Sequence, residues 1–222
     1  MPSDLGFSND GYELPKLHVN KHIVENRSLI DINGQMQLFN IIAKTFEEIK
    51  FEEKSTINER CYKAVELAKD KTSVYWCNRN EESKLLNQLD NDAVEIIGSM
   101  SLEKKEDILL NFADGNIKRL ITKAKMTSMG LNWQHCNHTV FFPTWSYEQY
   151  YQAIRRFWRF GQKNEVVCDM VISDGQTRVM EALQQKTQKA IELYENLTKA
   201  VNSVYVHNQK EFNKELIKPK FL

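Results

Sequence analysis

The fold is decided by residues 73–121, which read SVYWCNRNEESKLLNQLDNDAVEIIGSMSLEKKEDILLNFADGNIKRLI. Three short apolar runs in this stretch are typical of buried strands, and they lie at residues 73–77, 93–97 and 117–121. The segments between them have helical spacing, from 81 to 89 and from an N-cap at Ser101 to Phe112. Strands that alternate with helices predict a parallel sheet with helices on both faces.

The alternation continues towards both ends of the chain. Further strands are expected at residues 17–24, 139–142 and 166–172. Helices are expected over residues 35–51, from a capping box at Thr56 to about Lys69, and from 176 to about 206. The α/β pattern therefore extends over most of the chain.

Composition sets limits on the function. The chain has 222 residues, of which 41% are hydrophobic and 27% are charged, as expected for an ordinary domain with extensions. Thirty basic and thirty acidic side chains cancel, so any surface for nucleic acid must be a local patch. No apolar run reaches the roughly 18 to 20 residues of a membrane span, and no signal-peptide pattern is present.

The four cysteines do not predict a metal site. Cys61, Cys77, Cys136 and Cys168 are widely scattered and form no CxxC pair, which is typical of reduced thiols in a cytosolic protein. The segment His-Cys-Asn-His at residues 135–138 lacks the two separated ligand pairs of a structural zinc site. We therefore expect no bound metal from this chain's own residues.

The stretch YQAIRRFWRFGQ at residues 151–162 contains three arginines, two of which are predicted to lie close together. On a helix at about 100° per residue, Gln152, Arg156 and Arg159 share one face. The opposite face carries the apolar side chains Tyr147, Tyr150, Ile154 and Phe157. A capping box from Ser146 would begin this helix. Two permanent cations on one face suit a polyphosphate, although a solvated basic face is an equally common pattern.

Polar loops follow three of the expected strands. They lie at residues 78–80, 122–134 and 143–146. Ligands of open α/β sheets bind at the carboxyl ends of the strands, and loops rich in Lys, Thr, Ser, Asn and Gly offer donors to phosphates. Each loop by itself is more typical of an ordinary turn, but their combination with Arg156 and Arg159 favours a binding site.

The chain lacks the usual means of holding a nucleotide by itself. It contains no GxxxxGK[ST] motif, and no Asp-Glu pair ends an apolar strand where it would hold Mg²⁺. Arginines without a phosphate cradle indicate one half of a composite site. In GTPases an arginine that reaches the γ-phosphate from elsewhere contributes about 10³ to 10⁵ in rate.

These motifs resemble those of superfamily-two helicases and translocases in their Swi/Snf-like form. Residues 152–162 fit the pattern QAxxRxxRxGQ and resemble the sixth motif of the family. Residues 120–134 resemble the fifth motif and residues 73–78 the fourth, and order and spacing agree across residues 73–172. The segment Gly-Leu-Asn-Trp-Gln at residues 130–134 is most similar to helicases encoded by phages and prophages.

The resemblance implies a C-terminal RecA-like lobe, with ATP between the two lobes and Mg²⁺ held mainly by the N-terminal lobe. It also implies a role for individual residues by position. The roles are those of arginine fingers for Arg156 and Arg159, nucleotide contacts for Gly130, Asn132 and Gln152, and contacts to the DNA backbone for Asn78, Thr122 and Lys123.

The function expected from the resemblance is that of a motor lobe in an ATP-dependent DNA helicase or translocase, inactive by itself. Its partners would be DNA, duplex rather than RNA, and an N-terminal lobe in the same or a separate chain, in the cytoplasm of a bacterial or phage-infected cell. Residues 1–30 would be an interlobe linker, 31–175 the RecA-like domain and 176–222 a helical extension. An RNA-dependent motor and a non-hydrolytic interaction module remain alternatives.

Overall fold

The structure, a computed structural model, describes residues 13–26, 34–36, 45–126, 132–144 and 146–212, with residues 202–212 described by their backbone alone. The strands are β1 (Leu17–Val24), β2 (Ser73–Trp76), β3 (Ala93–Glu95), β4 (Arg119–Thr122), β5 (His138–Phe141) and β6 (Val166–Ser173). The helices are α1 (Phe46–Ser55), α2 (Ile57–Ala68), α3 (Asn80–Leu89), α4 (Leu102–Ala113), α5 (Tyr147–Ile154) and α6 (Thr177–Phe212).

The described strands form one parallel sheet in the order β1-β6-β5-β2-β4-β3. This confirms the α/β architecture expected from the sequence. In the centre of the sheet, Trp76 at the end of β2 is level with Thr122 of β4 on one side and Phe141 of β5 on the other. The carboxyl ends of the three central strands therefore lie side by side, which is where ligands bind in such sheets.

Strands β2, β4, β5 and β6 are buried along almost their whole length because helices cover both faces of the sheet around them. Along β2, Val74 and Trp76 join a core with side chains of α4, α5 and α6, whereas Tyr75 joins a second core with side chains of α2 and α3. Successive side chains of a strand point to opposite faces, so a strand covered on both sides places nearly every side chain in a core. The helices on both faces were predicted and are confirmed.

Helix α1 begins later than the sequence pattern predicted. The expected helix over residues 35–51 falls partly outside the described residues, and the structure has a helix at Phe46–Ser55. Thr45 begins it with a capping box, in which its Oγ1 accepts from the Glu48 amide over 3.2 Å and the Glu48 carboxylate accepts from the Thr45 amide over 3.0 Å. The sequence TFEE at residues 45–48 is the signal that periodicity alone overlooked.

Helix α2 confirms the predicted helix after Thr56, but the predicted capping box does not form. The Thr56 hydroxyl donates instead to the carbonyl of Glu52 over 2.7 Å and accepts from Nε of Arg60 over 3.2 Å. Thr56 is thereby buried between α1 and α2, where it helps to hold the guanidinium of Arg60.

The contacts of the chain define two compact units, residues 14–183 and residues 1–13 with 184–222. The whole sheet lies in the first unit, including β1, which pairs along its length with β6. In the second unit, the part of α6 after residue 183 exposes the apolar side chains of Ile191, Leu193, Tyr194, Leu197 and Val201. Domain boundaries at residues 30 and 175 stay a prediction. Every helix in the described part of the chain lacks the length or the apolar character needed to cross a bilayer.

Candidate functional site

A groove of about 380 Å³ lies at the carboxyl ends of the three central strands. Loops after β2, β4 and β5 form its floor, and α1 and the first turn of α5 form its walls. Its lining residues are Phe46, Ile49, Lys50, Glu53, Cys77, Asn78, Lys123, Ala124, Lys125, Pro143, Thr144 and Gln149. Three lysines give this lining a positive character, which suits an anion such as a phosphate.

Asn78 was expected to contact DNA, and it lies in this groove. Its side-chain amide donates to the carbonyls of Phe142 and Pro143, over 3.1 and 2.8 Å. These bonds connect the end of β2 to the end of β5. The side-chain oxygen of Asn78 is left as an acceptor at an exposed position.

The other two residues expected at the DNA backbone, Thr122 and Lys123, differ in exposure. Lys123 lines the groove, and its Nζ donates to the side-chain oxygen of Asn80 over 2.6 Å. Thr122 ends β4 with 1% of its surface exposed, and its carbonyl accepts from the Cys77 amide over 2.9 Å. The structure therefore brings Asn78 and Lys123 together at the surface and places Thr122 beneath them.

A buried ion pair that sequence reasoning missed holds the loop after β2. The Glu82 carboxylate accepts from the backbone amides of Asn78 and Arg79, each over 2.9 Å, and from Nη1 of Arg60 over 2.7 Å. Arg60 is fully buried and Glu82 is nearly so. A carboxylate in the first turn of α3 was a visible signal for the backbone bonds. No local pattern indicated the partner on α2.

The helix that carries the arginines is shorter than predicted. Ser146 caps it as expected, since its Oγ accepts from the Gln149 amide over 3.3 Å. The helix ends at Ile154, so the prediction that Arg156 and Arg159 lie on it is wrong.

Contacts with neighbouring loops explain why the helix ends there. The carbonyl of Arg156 accepts from the Trp133 amide over 3.1 Å, and the carbonyl of Phe157 accepts from Nε2 of Gln162 over 3.2 Å. Phe157 is fully buried, with its ring centroid 5.7 Å from that of Trp133. Two carbonyls that a longer helix would use are thus taken, one by the Trp133 amide from another segment and one by the Gln162 side chain a few residues further along. We call residues 155–161 the arginine loop.

Two of the three arginines in this loop, Arg156 and Arg159, lie close enough for their charges to interact. Arg156 is 7% exposed, and its guanidinium lies 5.4 Å from the ring centroid of Trp133. Burial, together with repulsion from the neighbouring Arg159 cation, lowers the pKa of Arg156. Arg159 is only half-buried. An anion beside both guanidiniums would relieve this repulsion, so the pair fits a polyphosphate.

Asn132, expected at the nucleotide, lies on a loop that is bonded to the arginine loop. Its side chain accepts from the Gln134 amide over 3.3 Å and donates to Oε1 of Gln134 over 3.2 Å, and Gln134 in turn donates to the carbonyl of Phe160. Gln152 is exposed on α5, where it donates to Glu148 over 3.0 Å. Gly130 lies outside the described residues.

The described residues include no group of three or more His, Cys, Asp or Glu side chains arranged to hold a metal ion. Within the segment at residues 135–138, Cys136 is fully buried and its thiol donates to the carbonyl of His138 over 3.2 Å. Burial raises the pKa of Cys136 to about 12, so this sulfur stays protonated at neutral pH.

Comparison with known proteins agrees with these motifs. Residues 56–161 match the family model described as Helicase conserved C-terminal domain. A search of curated protein sequences found no significant match.

Three solved structures are similar to the chain. One is the C-terminal part of the Fun30 ATPase domain, at 19% identity and a TM-score of 0.47, covering 66% of this chain and 48% of that chain. Another is a DEAD box protein from the hyperthermophile Methanococcus jannaschii, at 16% identity and a TM-score of 0.51, covering 81% of this chain and 41% of that chain. A third is the E. coli DEAD-box protein SrmB bound to regulator of ribonuclease activity A, at 17% identity and a TM-score of 0.50, covering 59% of this chain and 79% of that chain.

At these identities the two DEAD-box likenesses show the fold alone. The chain spans about half or less of the length of the first two structures, 48% and 41%. The matched family model covers the segment from the start of α2 to the arginine loop. Residues 56–161 thus match the model of a helicase conserved C-terminal domain, and the chain has the RecA-like fold of a helicase C-terminal lobe.

Proposed function

We propose that this chain is the C-terminal motor lobe of a Swi/Snf-like, ATP-dependent DNA helicase or translocase. The observation that carries the proposal is that Arg156 and Arg159 lie on one loop after α5, and that this loop is bonded through the Arg156 carbonyl to Trp133, next to Asn132. In such an enzyme the two guanidiniums would approach ATP bound on an N-terminal lobe and stabilise charge on the transferring γ-phosphoryl group.

The ATP site would be composite because this chain supplies cations but no phosphate cradle. It contains no GxxxxGK[ST] motif, so the N-terminal lobe would supply the P-loop and the main ligands of Mg²⁺. Gly130, Asn132 and Gln152 would contact the nucleotide or couple it to the lobe interface. The isolated chain would hydrolyse little ATP.

The groove at the carboxyl ends of the central strands would contact the DNA backbone. Asn78 and Lys123 would reach phosphates directly, and Thr122 would shape the site from beneath. The lysines of the groove would bind backbone phosphates and would not distinguish one base sequence from another, as expected for a motor that moves along any DNA. The preference for duplex DNA rests on the resemblance of residues 152–162 to the Swi/Snf-like pattern. A location in the cytoplasm of a bacterial or phage-infected cell rests on the scattered cysteines and on the similarity of residues 130–134 to helicases of phages and prophages.

The test uses the complete two-lobe enzyme. We expect Arg159→Ala and Arg156→Ala each to lower ATP turnover about 10³-fold or more, with DNA affinity nearly unchanged, because the guanidiniums act on the transition state. Arg155→Ala is the matched control, since Arg155 is exposed and lies over the rings of Tyr151 and Trp158. If both the Arg156→Ala and the Arg159→Ala variants keep the ATP turnover of the wild type, the assignment of the two residues as arginine fingers is refuted.

The nucleic acid is tested by the stimulation of ATP hydrolysis. Duplex DNA is expected to stimulate the two-lobe enzyme more than RNA of equal length. Stronger stimulation by RNA would make the chain part of an RNA-dependent motor. Absence of stimulation and of hydrolysis with a matching N-terminal lobe would leave the interaction module as the function.

A further inference from the structure

A carboxylate stands in the groove that would bind phosphates. Lys50, Lys123 and Lys125 line this groove, and among its described lining residues Glu53 alone is acidic. A negative charge in an anion site weakens binding unless it is neutralised. The residue that forms an ion pair with Glu53 therefore affects how strongly the groove binds a phosphate.

That partner is Arg79. Nη2 of Arg79 donates to Oε2 of Glu53 over 3.2 Å and to the carbonyl of Lys50 over 3.1 Å. The side chain of Arg79 thus lies along α1, the wall of the groove. Its backbone is held separately, by the bond from the Arg79 amide to Glu82.

Arg79 follows directly after a groove residue and precedes another contact of the groove. Asn78 lines the groove, and Asn80 accepts from Lys123. Because the backbone at Arg79 is fixed by Glu82, a change in its side-chain rotamer would move the guanidinium without moving the loop. The long side chain of arginine permits such a change.

The bond between Arg79 and Glu53 is of a kind that a phosphate can replace. It joins one nitrogen to one oxygen, and the side chains are 27% and 17% exposed. Partly exposed, single-contact ion pairs contribute little free energy, whereas arginine binds phosphate in a stronger two-point geometry. Glu53 would keep a second partner after the exchange, because its Oε1 accepts from Nε2 of Gln176 over 2.9 Å.

We propose that the Glu53 carboxylate competes with nucleic-acid phosphate for Arg79. Glu53 holds Arg79 against α1 until a backbone phosphate replaces the carboxylate. Arg79 is then a further phosphate-binding residue of this lobe, and Glu53 lowers the affinity of the groove. A lower affinity favours release of the strand at each step of a motor. The inference rests on the proposed contact between the groove and nucleic acid.

The test measures binding of a fluorescently labelled duplex DNA oligonucleotide to the 222-residue chain. Glu53→Gln is expected to bind about three to tenfold more tightly, because Arg79 is released while the amide still bonds to Gln176. The slope of log Kd against log salt is expected to stay close to that of the wild type, because Arg79 contacts one phosphate in both complexes. A residue with a merely structural role would lower affinity when replaced.

Matched variants distinguish the release of Arg79 by Glu53→Gln from a general effect of removing one negative charge. Glu81→Gln removes the same charge at an exposed neighbouring position and is expected to have a much smaller effect. Arg79→Ala is expected to weaken binding and to reduce the salt slope by about one. In the double variant Glu53→Gln with Arg79→Ala, the gain in affinity is expected to disappear.

The outcomes distinguish this proposal from the proposed function. If Lys123→Ala weakens binding but Glu53→Gln changes it no more than Glu81→Gln does, the proposed competition by Glu53 is refuted. The proposal that the groove binds nucleic acid is then still supported. A gain in affinity that persists without Arg79 also refutes the competition by Glu53. If neither the wild type nor Glu53→Gln binds DNA or RNA, both proposals fall.

Discussion

The side-chain amide of Gln162 donates from Nε2 to the backbone carbonyl of Gln134 over 3.0 Å. The same nitrogen lies 3.2 Å from the carbonyl of Phe157 and 3.4 Å from that of Cys136. Gln162 is 7% exposed, so one buried amide connects the arginine loop to the loop at residues 132–136. The position of both arginines therefore depends on a residue that has no charge.

Gln162→Leu is expected to lower the free energy of unfolding by about 2 kcal/mol, because buried carbonyls lose their donor. Hydrogen exchange at the amides of residues 155–161 is expected to accelerate. Gln88→Leu is the control, since Gln88 is exposed on α3 and its replacement is expected to change stability by less than about 0.5 kcal/mol. Equal effects at the two positions would contradict the role given to Gln162.

Gly161→Ala is expected to destabilise the fold by about 1 to 2 kcal/mol. Gly161 has a φ of +92°, and a Cβ there would lie 2.8 Å from Nε2 of Gln134. Gly98→Ala is the matched control, because a Cβ at Gly98 meets no atom within 4 Å. Thermal unfolding of both variants measures the difference, and an unchanged midpoint for Gly161→Ala would show that the loop accommodates the methyl group.

Glu82→Gln is expected to destabilise the fold by about 3 kcal/mol. The substitution leaves the guanidinium of Arg60 buried beside an uncharged amide, and breaking one side of a buried pair costs far more than the pair contributes. Glu81→Gln, one residue earlier and exposed, is the control and is expected to be nearly neutral. Urea titrations of the two variants give the comparison. A neutral Glu82→Gln would mean that Arg60 finds another acceptor.

The stability of the sheet is expected to depend on pH through Asp169. Burial alone would raise the pKa of Asp169, but hydrogen bonds from His138, His22 and Asn20 outweigh it and hold that pKa well below its usual range. A carboxyl with a depressed folded pKa stabilises the fold above its unfolded pKa of about 4 and loses this contribution as pH falls. Asp169→Asn is therefore expected to destabilise strongly at pH 7, and less so below about pH 4.

Asp174 supplies a control of opposite sign. Burial and the nearby charges of Glu52 and Glu25 raise the pKa of Asp174. Its ionised form therefore disfavours folding, and Asp174→Asn is expected to stabilise slightly at pH 7, with the gain fading below about pH 4. Unfolding curves across pH for the wild type and both variants measure the two differences. Parallel curves for Asp169→Asn and the wild type would rule out the assigned linkage.

The strands and several helices could be predicted closely. The apolar run at residues 73–77 corresponds to β2 at Ser73–Trp76, and the run at 93–97 overlaps β3 at Ala93–Glu95. Ser101 caps α4 as expected, with its Oγ accepting from the Lys104 amide over 3.3 Å. These features are local, because a strand buried on both faces is made mostly of apolar residues and a helix needs its cap next to its first turn.

The candidate site was predicted only in part. Strand-end loops at Asn78 and Lys123 meet in the groove because neighbouring parallel strands end at the same edge of the sheet. No local sequence pattern indicated that α1 contributes to the groove, because Glu53 bonds to Arg79 across 26 residues of sequence. The same holds for the bond between Arg60 and Glu82, which lie 22 residues apart.

The sequence by itself determined the order of strands and helices and the edge of the sheet at which the polar loops lie. It also showed the resemblance of residues 152–162 to a helicase motif. Tertiary structure alone decided where the arginine helix ends and which charges pair. The physical reason is that helical and strand periodicity arises within a few residues, whereas the donors that bind the carbonyls of Arg156 and Phe160, the Trp133 amide and the Gln134 side chain, come from another segment of the chain. Hydrogen bonds with that segment outweigh the local preference of residues 155–161 for a helix.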